Sequence, residues 1–234
     1  MKAIILAGGK GTRLQTVISA VPKPLAPVQG QPFIFILVRF LLFHGIKEII
    51  ISTHHLAEKF GGYLEDFKKI AQSISLIKEP APLGTGGALR FSCQQFSASE
   101  NILVLNGDTF FDFDLSAFVK KYARETALAL KEVPDSARYG TVELKDGNIQ
   151  KFTEKSKTPA FGAIYAGFAI VSTQDILDFL PEGSSSLEKD FFPKLLRESR
   201  PVKGEIFNGK FIDIGIPEDY SVANTLFDFS KFLR

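Results

Sequence analysis

Apolar runs and polar breaks alternate along the first half of the chain at the spacing of strands and helices. After its lysine, Lys2–Ala7 is apolar throughout, as a strand buried on both faces should be. Residues 8–31 form a long stretch rich in Gly, Pro and Thr, and loops of that length are commonly functional. The apolar segment from Pro32, where a first-turn proline belongs, to a capping Gly45 predicts a helix. Ile46–Thr53 predicts a second buried strand and Leu56–Ile70 a helix. Ile74–Lys78 predicts a third strand, Gly86–Phe96 a helix opened by a glycine turn, and Ile102–Asn106 a fourth strand. This alternation predicts a mostly parallel sheet covered by helices on both faces.

The pattern changes after about residue 125. Thr126–Val133, Tyr139–Leu144, Ile149–Thr153 and Gly162–Val171 read as strands with short connections, and Asp146-Gly147 and Asn208-Gly209 are hairpin turn signals. Helices are expected over Thr173–Leu180, Ser186–Ser199 and Glu218–Phe232. No linker or repeat interrupts the chain. The expectation is therefore one α/β unit over residues 1–234: a three-layer α/β/α Rossmann-like fold with antiparallel strands added in its carboxy-terminal half.

Composition narrows the partners. With 45% hydrophobic and 23% charged residues the chain can fold around a sizeable core, and 23 Phe with no Trp make Phe the main filler. The 28 Lys+Arg against 26 Asp+Glu leave a net charge of +2. No basic field points to nucleic acid, so an anionic partner must be caught by a local cluster. The longest apolar stretch, Phe33–Phe43, is interrupted by Arg39 and falls short of the ~20 residues a membrane span needs. The amino-terminal apolar run is too short for a signal peptide. A lone cysteine, Cys93, excludes an internal disulfide and reads as an inert core thiol, which points to a reducing, cytoplasmic setting.

The sharpest chemical feature is Leu6-Ala7-Gly8-Gly9-Lys10-Gly11-Thr12-Arg13-Leu14, directly after the first strand. Three glycines let the backbone approach an anion closely, and arginine offers a planar fork suited to phosphate oxygens. In an open parallel sheet, ligands bind beyond the carboxyl ends of strands, where this loop lies. It lacks the spacing of a Walker loop, and Leu14 stands where a dinucleotide-binding loop needs its third glycine. Asp108 follows the fourth strand, and Asp213 ends a second apolar segment, 206–214. Strand-end aspartates are often turn residues, but two in one cleft suit Mg²⁺, which takes hard oxygen ligands. Asp114, before Leu115-Ser116-Ala117, reads as a helix cap. His54 and His55 have no third ligand near in sequence and read as loop histidines.

Together with Pro22-Lys23-Pro24, the glycine loop resembles the signature of the sugar-1-phosphate nucleotidyltransferases. Leu83-Gly84-Thr85-Gly86-Gly87, Asn106-Gly107-Asp108, Glu154-Lys155 and Phe211-Ile212-Asp213-Ile214-Gly215 follow in that family's order. The resemblance implies a nucleotide-diphospho-sugar transferase fold, with a nucleotide-binding half over about 1–125 and a sugar-binding half over about 126–234. It also implies Mg²⁺-assisted in-line attack of a sugar 1-phosphate on the α-phosphate of a nucleoside triphosphate, with pyrophosphate leaving. Arg13, Lys23 and Asp108 would be catalytic, and Asp108 and Asp213 would hold the metal. Leu6, Ala7, Gly8, Gly9, Gly11, Thr12, Arg13, Lys23, Glu79, Gly84, Thr85 and Gly107 would bind the nucleotide. Tyr139, Gly140, Glu154, Lys155, Tyr165 and Gly167 would bind the sugar phosphate. Leu187-Glu188-Lys189-Asp190 resembles a stretch near the sugar in guanylyltransferases and offers a second contact.

Glu79 stands where thymidylyl- and uridylyltransferases often carry glutamine. An acceptor-only carboxylate suits the two donors of guanine, so GTP is the expected nucleotide. Arg138-Tyr139-Gly140-Thr141-Val142-Glu143 and the segments around Asp108 and Asp213 are similar to the D-glycero-α-D-manno-heptose 1-phosphate guanylyltransferases, and then to the compact mannose-1-phosphate guanylyltransferases. A short uridylyltransferase, for example one acting on N-acetylmuramate 1-phosphate, also fits a glutamate at this position. A non-catalytic nucleotide-sugar-binding regulator would be expected to lose a metal aspartate or the loop arginine, and both are present. Two departures stand out: Tyr165 replaces the family's usual sugar-binding Asn, and Ile216 replaces its usual Thr. Oligomeric state is left open, with a homo-oligomer compatible.

Overall fold

Along β1 (Lys2–Leu6), Ala3 and Ile5 enter one core while Ile4 and Leu6 enter another, which fixes a sheet buried on both faces. The computed structural model describes residues 1–14, 16–18, 20–71, 73–94, 100–155, 158–225 and 227–232. A 3₁₀ turn over Lys23–Leu25 and the short pair β2 (Pro27–Val28) and β3 (Gln31–Pro32) lead into α1 (Phe33–Phe43). Pro32 occupies the N-cap of α1, and Gly45 follows its C-cap His44 at φ +80°. β4 (Glu48–Thr53) comes next. The single helix expected over 56–70 is two, α2 (Ala57–Gly61) and α3 (Leu64–Ile70), broken at Gly61-Gly62. Each glycine costs a helix about 1 kcal/mol, enough to divide so short a segment. β5 (Ser73–Lys78), α4 (Gly84–Cys93) and β6 (Asn101–Asn106) complete the first half. Helix α4 begins two residues earlier than expected, and Phe96 lies outside the described residues.

A short strand not anticipated from the pattern, β7 (Thr109–Phe111), leads to α5 (Leu115–Lys121), which Asp114 caps through the Ala117 N–H at 2.9 Å. Then come β8 (Ala127–Val133), β9 (Thr141–Lys145), β10 (Asn148–Thr153) and β11 (Gly162–Ser172). Asp146 and Gly147, both at positive φ, make the β9–β10 hairpin turn as expected. α6 (Thr173–Phe179), a π-helical turn over Leu187–Phe191, α7 (Phe192–Arg197), β12 (Lys203–Ile206), β13 (Phe211–Asp213) and α8 (Pro217–Thr225) follow. The expected last helix to Phe232 does not continue. Its end is a 3₁₀ turn over Ser230–Phe232, and buried Phe227 and Phe229 are drawn into the core instead. Asn208-Gly209 is not a hairpin turn either, because β12 pairs with β8 and β10 whereas β13 pairs with β7.

The main sheet runs β5-β4-β1-β6-β11-β8-β12-β10-β9. Its first four strands are parallel, while β11 lies antiparallel between β6 and β8 and opens the mixed half. One core packs α1, α3 and α5 with a Phe cluster that includes Phe40, Phe110, Phe113 and Phe168. The other packs α4, α6 and α7 on the opposite face. This is the layered α/β/α arrangement, with the parallel strands β5, β4, β1 and β6 ending toward one rim. Cys93 is buried in the second core, and burial pushes its thiol up to about 12. Among the described residues no helix is long and apolar enough to cross a membrane.

Candidate active site

At the carboxyl end of β1 the chain turns away beneath a cavity of about 430 Å³. Leu6, Ala7, Gly8, Gly9, Gly11, Thr12 and Arg13 line it in sequence. A turn, Leu14 N–H to Gly11 carbonyl at 3.0 Å, closes the loop, and buried Leu14 anchors it. Gly8 is dictated by space: a Cβ there would lie 2.4 Å from Glu79 Oε1. Across the cavity, α4 presents its amino terminus through Gly84 and Thr85, with no acidic residue in its first turn. That end carries partial positive charge suited to an anion. Glu79, 3% exposed, accepts from Ser52 Oγ at 2.9 Å. Burial raises its carboxyl above the ordinary value, partly opposed by the Ser52 and Leu83 hydrogen bonds.

Lys23 is held in its 3₁₀ turn by Leu25 N–H to Pro22 carbonyl and Ala26 N–H to Lys23 carbonyl. Its side chain is only 9% exposed, and its Nζ lies 2.5 Å from Asp108 Oδ2 and 3.6 Å from Asp213 Oδ1. The two aspartates come from strands distant in sequence. The β7–β13 ladder sets Thr109 opposite Asp213, and Ile214 N–H donates to the Asp108 carbonyl at 3.0 Å. Burial would raise the Asp108 carboxyl, but the Lys23 charge and hydrogen bond outweigh it and hold it below the usual range. Asp213 is raised, by burial first and then by Asp108. Its Oδ1 accepts from Gly215 N–H at 2.8 Å.

A second cavity, about 110 Å³, opens on the far side of this pair. Arg13, Asn106 and Asp108 line both cavities, so they stand where the two meet. Tyr139, Gly140, Lys155, Tyr165 and Gly167 line the second, with Asp213. A bulge in β11 between Tyr165 and Ala169, with Gly167 at φ +80°, bends the strand here. Gly167 packs against the Asn106 side chain, where a Cβ would lie 3.2 Å from its amide nitrogen. Bulges of this kind re-aim side chains at sites. Tyr139 is pushed up to about 12, by burial and then by Asp213.

Two of the expected contacts sit elsewhere. Gly107 is off the cavity walls, donating to the Leu6 carbonyl at 2.9 Å and so joining the ends of β1 and β6. Glu154 lines a third cavity beyond the second and pairs with Lys189 at 3.0 Å. Arg138, Thr109 and Phe211 were not assigned from sequence, yet all three line the second cavity. Arg138 donates to Asp219 at 2.6 Å and its buried Nε has no partner among the described residues. Its adjacency to Tyr139-Gly140 was the available signal. Glu79 carries a nearby imidazole: His54 Nδ1 lies 3.3 Å from its carbonyl. No group of three or more His, Cys, Asp or Glu able to hold a metal occurs among the described residues.

Residues 2–228 match the model of the nucleotidyl transferase family, and the chain belongs to that family. It is 39% identical over 224 residues to the D-glycero-alpha-D-manno-heptose 1-phosphate guanylyltransferase of Campylobacter jejuni subsp. jejuni serotype O:2, covering 94% of this chain and 97% of that protein. It is 36% identical to the protein of the same name from Aneurinibacillus thermoaerophilus, over 95% of this chain and 96% of that one. Among solved structures, HddC from Yersinia pseudotuberculosis superposes with a TM-score of 0.84 at 34% identity, over 95% of this chain and 97% of that one. The same protein has also been solved complexed with GMP-PN.

Proposed function

We propose that this chain is a guanylyltransferase that joins GTP to D-glycero-α-D-manno-heptose 1-phosphate, giving the GDP-sugar and pyrophosphate. The observation that carries this reading is the convergence of Asp108, Asp213 and Lys23 at the wall between two cavities. The larger cavity has the glycine loop and a helix amino terminus for a triphosphate. The smaller has Arg13, Arg138 and Lys155 for a second anion. The relatives named above support the choice of base and sugar.

In this reading the glycine loop and Arg13 hold the triphosphate, and Lys23 offsets charge on the leaving phosphates. Lys155 and Arg13 orient the sugar phosphate so that one of its oxygens faces the α-phosphorus. That oxygen forms the new P–O bond as the bond to the β-phosphate oxygen breaks, and the electron pair leaves with pyrophosphate. Glu79 reads guanine: a carboxylate offers about four acceptor positions, and Ser52 and Leu83 leave capacity for the base N–H groups. Tyr139, Gly140, Glu154, Tyr165 and Gly167 surround the sugar.

The residues fit a divalent cation. Two hard carboxylates already converge on a cation, the Lys23 ammonium, and that donor set suits Mg²⁺. Asp108 and Asp213 would hold it, and bound there it would neutralise charge on the reacting phosphates. The test is pyrophosphate release from each of four nucleoside triphosphates against heptose, mannose, glucose and N-acetylated amino sugar 1-phosphates. GTP with the heptose phosphate should give the highest kcat/KM. A pyrimidine nucleotide turning over far faster than GTP would overturn the base assignment, and no release with any pair would overturn the reaction.

A further inference from the structure

The sugar-facing space does not end beside Asp213. A cavity of about 220 Å³ adjoins the 110 Å³ one, and Gly140, Lys155, Tyr165 and Glu188 line both. The outer cavity lies between the β9–β10 hairpin and the π-helical turn, which supplies Glu188 and Lys189. Phe152 and Pro193 give it an apolar surface, while Thr141, Thr153, Glu154 and Lys189 give it polar groups. Alternating apolar and polar contacts suit a chain of CH–OH units better than a flat base or an alkyl group.

Two polar groups at the junction are open to a ligand. The Tyr165 hydroxyl is buried with no hydrogen-bond partner among the described residues. The Glu188 side chain makes no hydrogen bond or ion pair among the described residues, although Lys155 and Lys189 are near enough to favour its charged form. The Glu188 side chain is exposed to solvent and lines both cavities, and desolvation, the larger influence, raises its carboxyl above the ordinary value. Glu154, by contrast, is already engaged by Lys189. A buried hydroxyl left without a partner, as at Tyr165, is unfavourable until a ligand completes it, and the exposed Glu188 carboxylate beside it offers acceptor positions to the same ligand.

We infer that the outer cavity is an annex for the exocyclic arm of sugars longer than a hexose, and that Glu188 at its entrance accepts hydrogen bonds from the arm's hydroxyls and so selects for chain length. A heptose has a 1,2-dihydroxyethyl arm where a hexose has a hydroxymethyl group. The annex is where the added carbon and its hydroxyl go. This inference rests on the sugar-1-phosphate reading above.

The test compares kcat/KM for D-glycero-α-D-manno-heptose 1-phosphate and α-D-mannose 1-phosphate, with GTP, in the wild type, Glu188→Ala and Thr141→Phe. The last fills the annex from β9. Glu188→Ala should lower the heptose value by at least about tenfold more than it lowers the mannose value, mainly through KM. Thr141→Phe should do the same without touching the carboxylate. Nucleotide affinity, measured with a non-hydrolysable GTP analogue, should be unchanged in both. If Glu188→Ala fails to fold or to bind the analogue, Thr141→Phe decides. Equal losses for both sugars, or none for either, in an active enzyme overturn the annex alone. A wild type inactive on both sugars overturns the guanylyltransferase reading and the annex with it.

Discussion

The two ends of the cleft are built differently. The proposed nucleotide end is made largely of backbone from one short segment: residues 6–13 wrap the cavity in sequence, and Gly8 leaves room for Glu79. Its key carboxylate is buried and hydrogen-bonded to Ser52. The proposed sugar end is made of side chains from loops, two strands and a π-helical turn: Arg138, Lys155, Tyr165, Glu188 and Asp213. Among the described residues the Tyr165 hydroxyl and the Arg138 Nε have no hydrogen-bond partner. A site made from backbone is fixed before a ligand arrives, whereas one made from unpaired side chains is completed by it.

The sharpest way to break that contrast is at the shared wall. Asp108→Ala or Asp213→Ala should lower kcat by about a thousandfold, roughly 4 kcal/mol of transition-state stabilisation, with the nucleotide still bound. Turnover within tenfold of wild type in either variant would remove the aspartate from the machinery. Next comes Glu79→Gln, which should cut kcat/KM for GTP by about ten- to a hundredfold while leaving the KM of the sugar phosphate alone. An unchanged ratio of GTP to UTP, with a lower Tm, would make Glu79 a brace for Ser52 instead. Gly8→Ala comes third. Its methyl group would crowd the Glu79 carboxylate, and overpacking of this kind costs about 1–3 kcal/mol. It should appear as a raised KM for GTP and a lower Tm, while an equivalent loss on the sugar side would blur the distinction.

The smallest effect concerns pH. Glu188 has its folded-state pKa raised above the ordinary value of 4.5, so the folded protein binds its proton more tightly than the unfolded chain does. Its contribution to stability is therefore most favourable below 4.5 and is lost as pH rises through the folded pKa. Glu188→Gln should be the more stable protein at pH 8 and should lose that advantage near pH 4. The Tm gain should be no more than about 4 °C, because water in the open cavity screens the charge. A Tm difference that grows on acidification would contradict the sign.

This difference in construction also governs what could be read from the sequence. Residues 6–13 and Lys23 were legible because a glycine-rich loop after a buried strand is a local pattern. The first four parallel strands were legible for the same reason. The meeting of Asp108 with Asp213 depends on the β7–β13 ladder, and β7 is three residues long, too short to show as a pattern. Glu154 and Lys155 both line the outer cavity, but only Lys155 reaches the inner one, and Glu154 pairs with Lys189. The misread turn at Asn208-Gly209 has a similar origin. Gly209 is there for close packing on the Asp112 carbonyl, where a Cβ would lie 1.7 Å away, and not for a hairpin. Long-range pairing in the mixed half decides these positions, and no local pattern encodes it.

The central claim is that the α-phosphorus of the nucleotide is attacked by a sugar phosphate held beside Asp108 and Asp213. It is tested most directly with GTP labelled in its α-phosphate, incubated with the heptose 1-phosphate and Mg²⁺. All of the transferred label should enter the sugar nucleotide, and the pyrophosphate released should be unlabelled. Label confined to free GMP or GDP, or a sugar product that acquires only the γ-phosphate, would contradict the account.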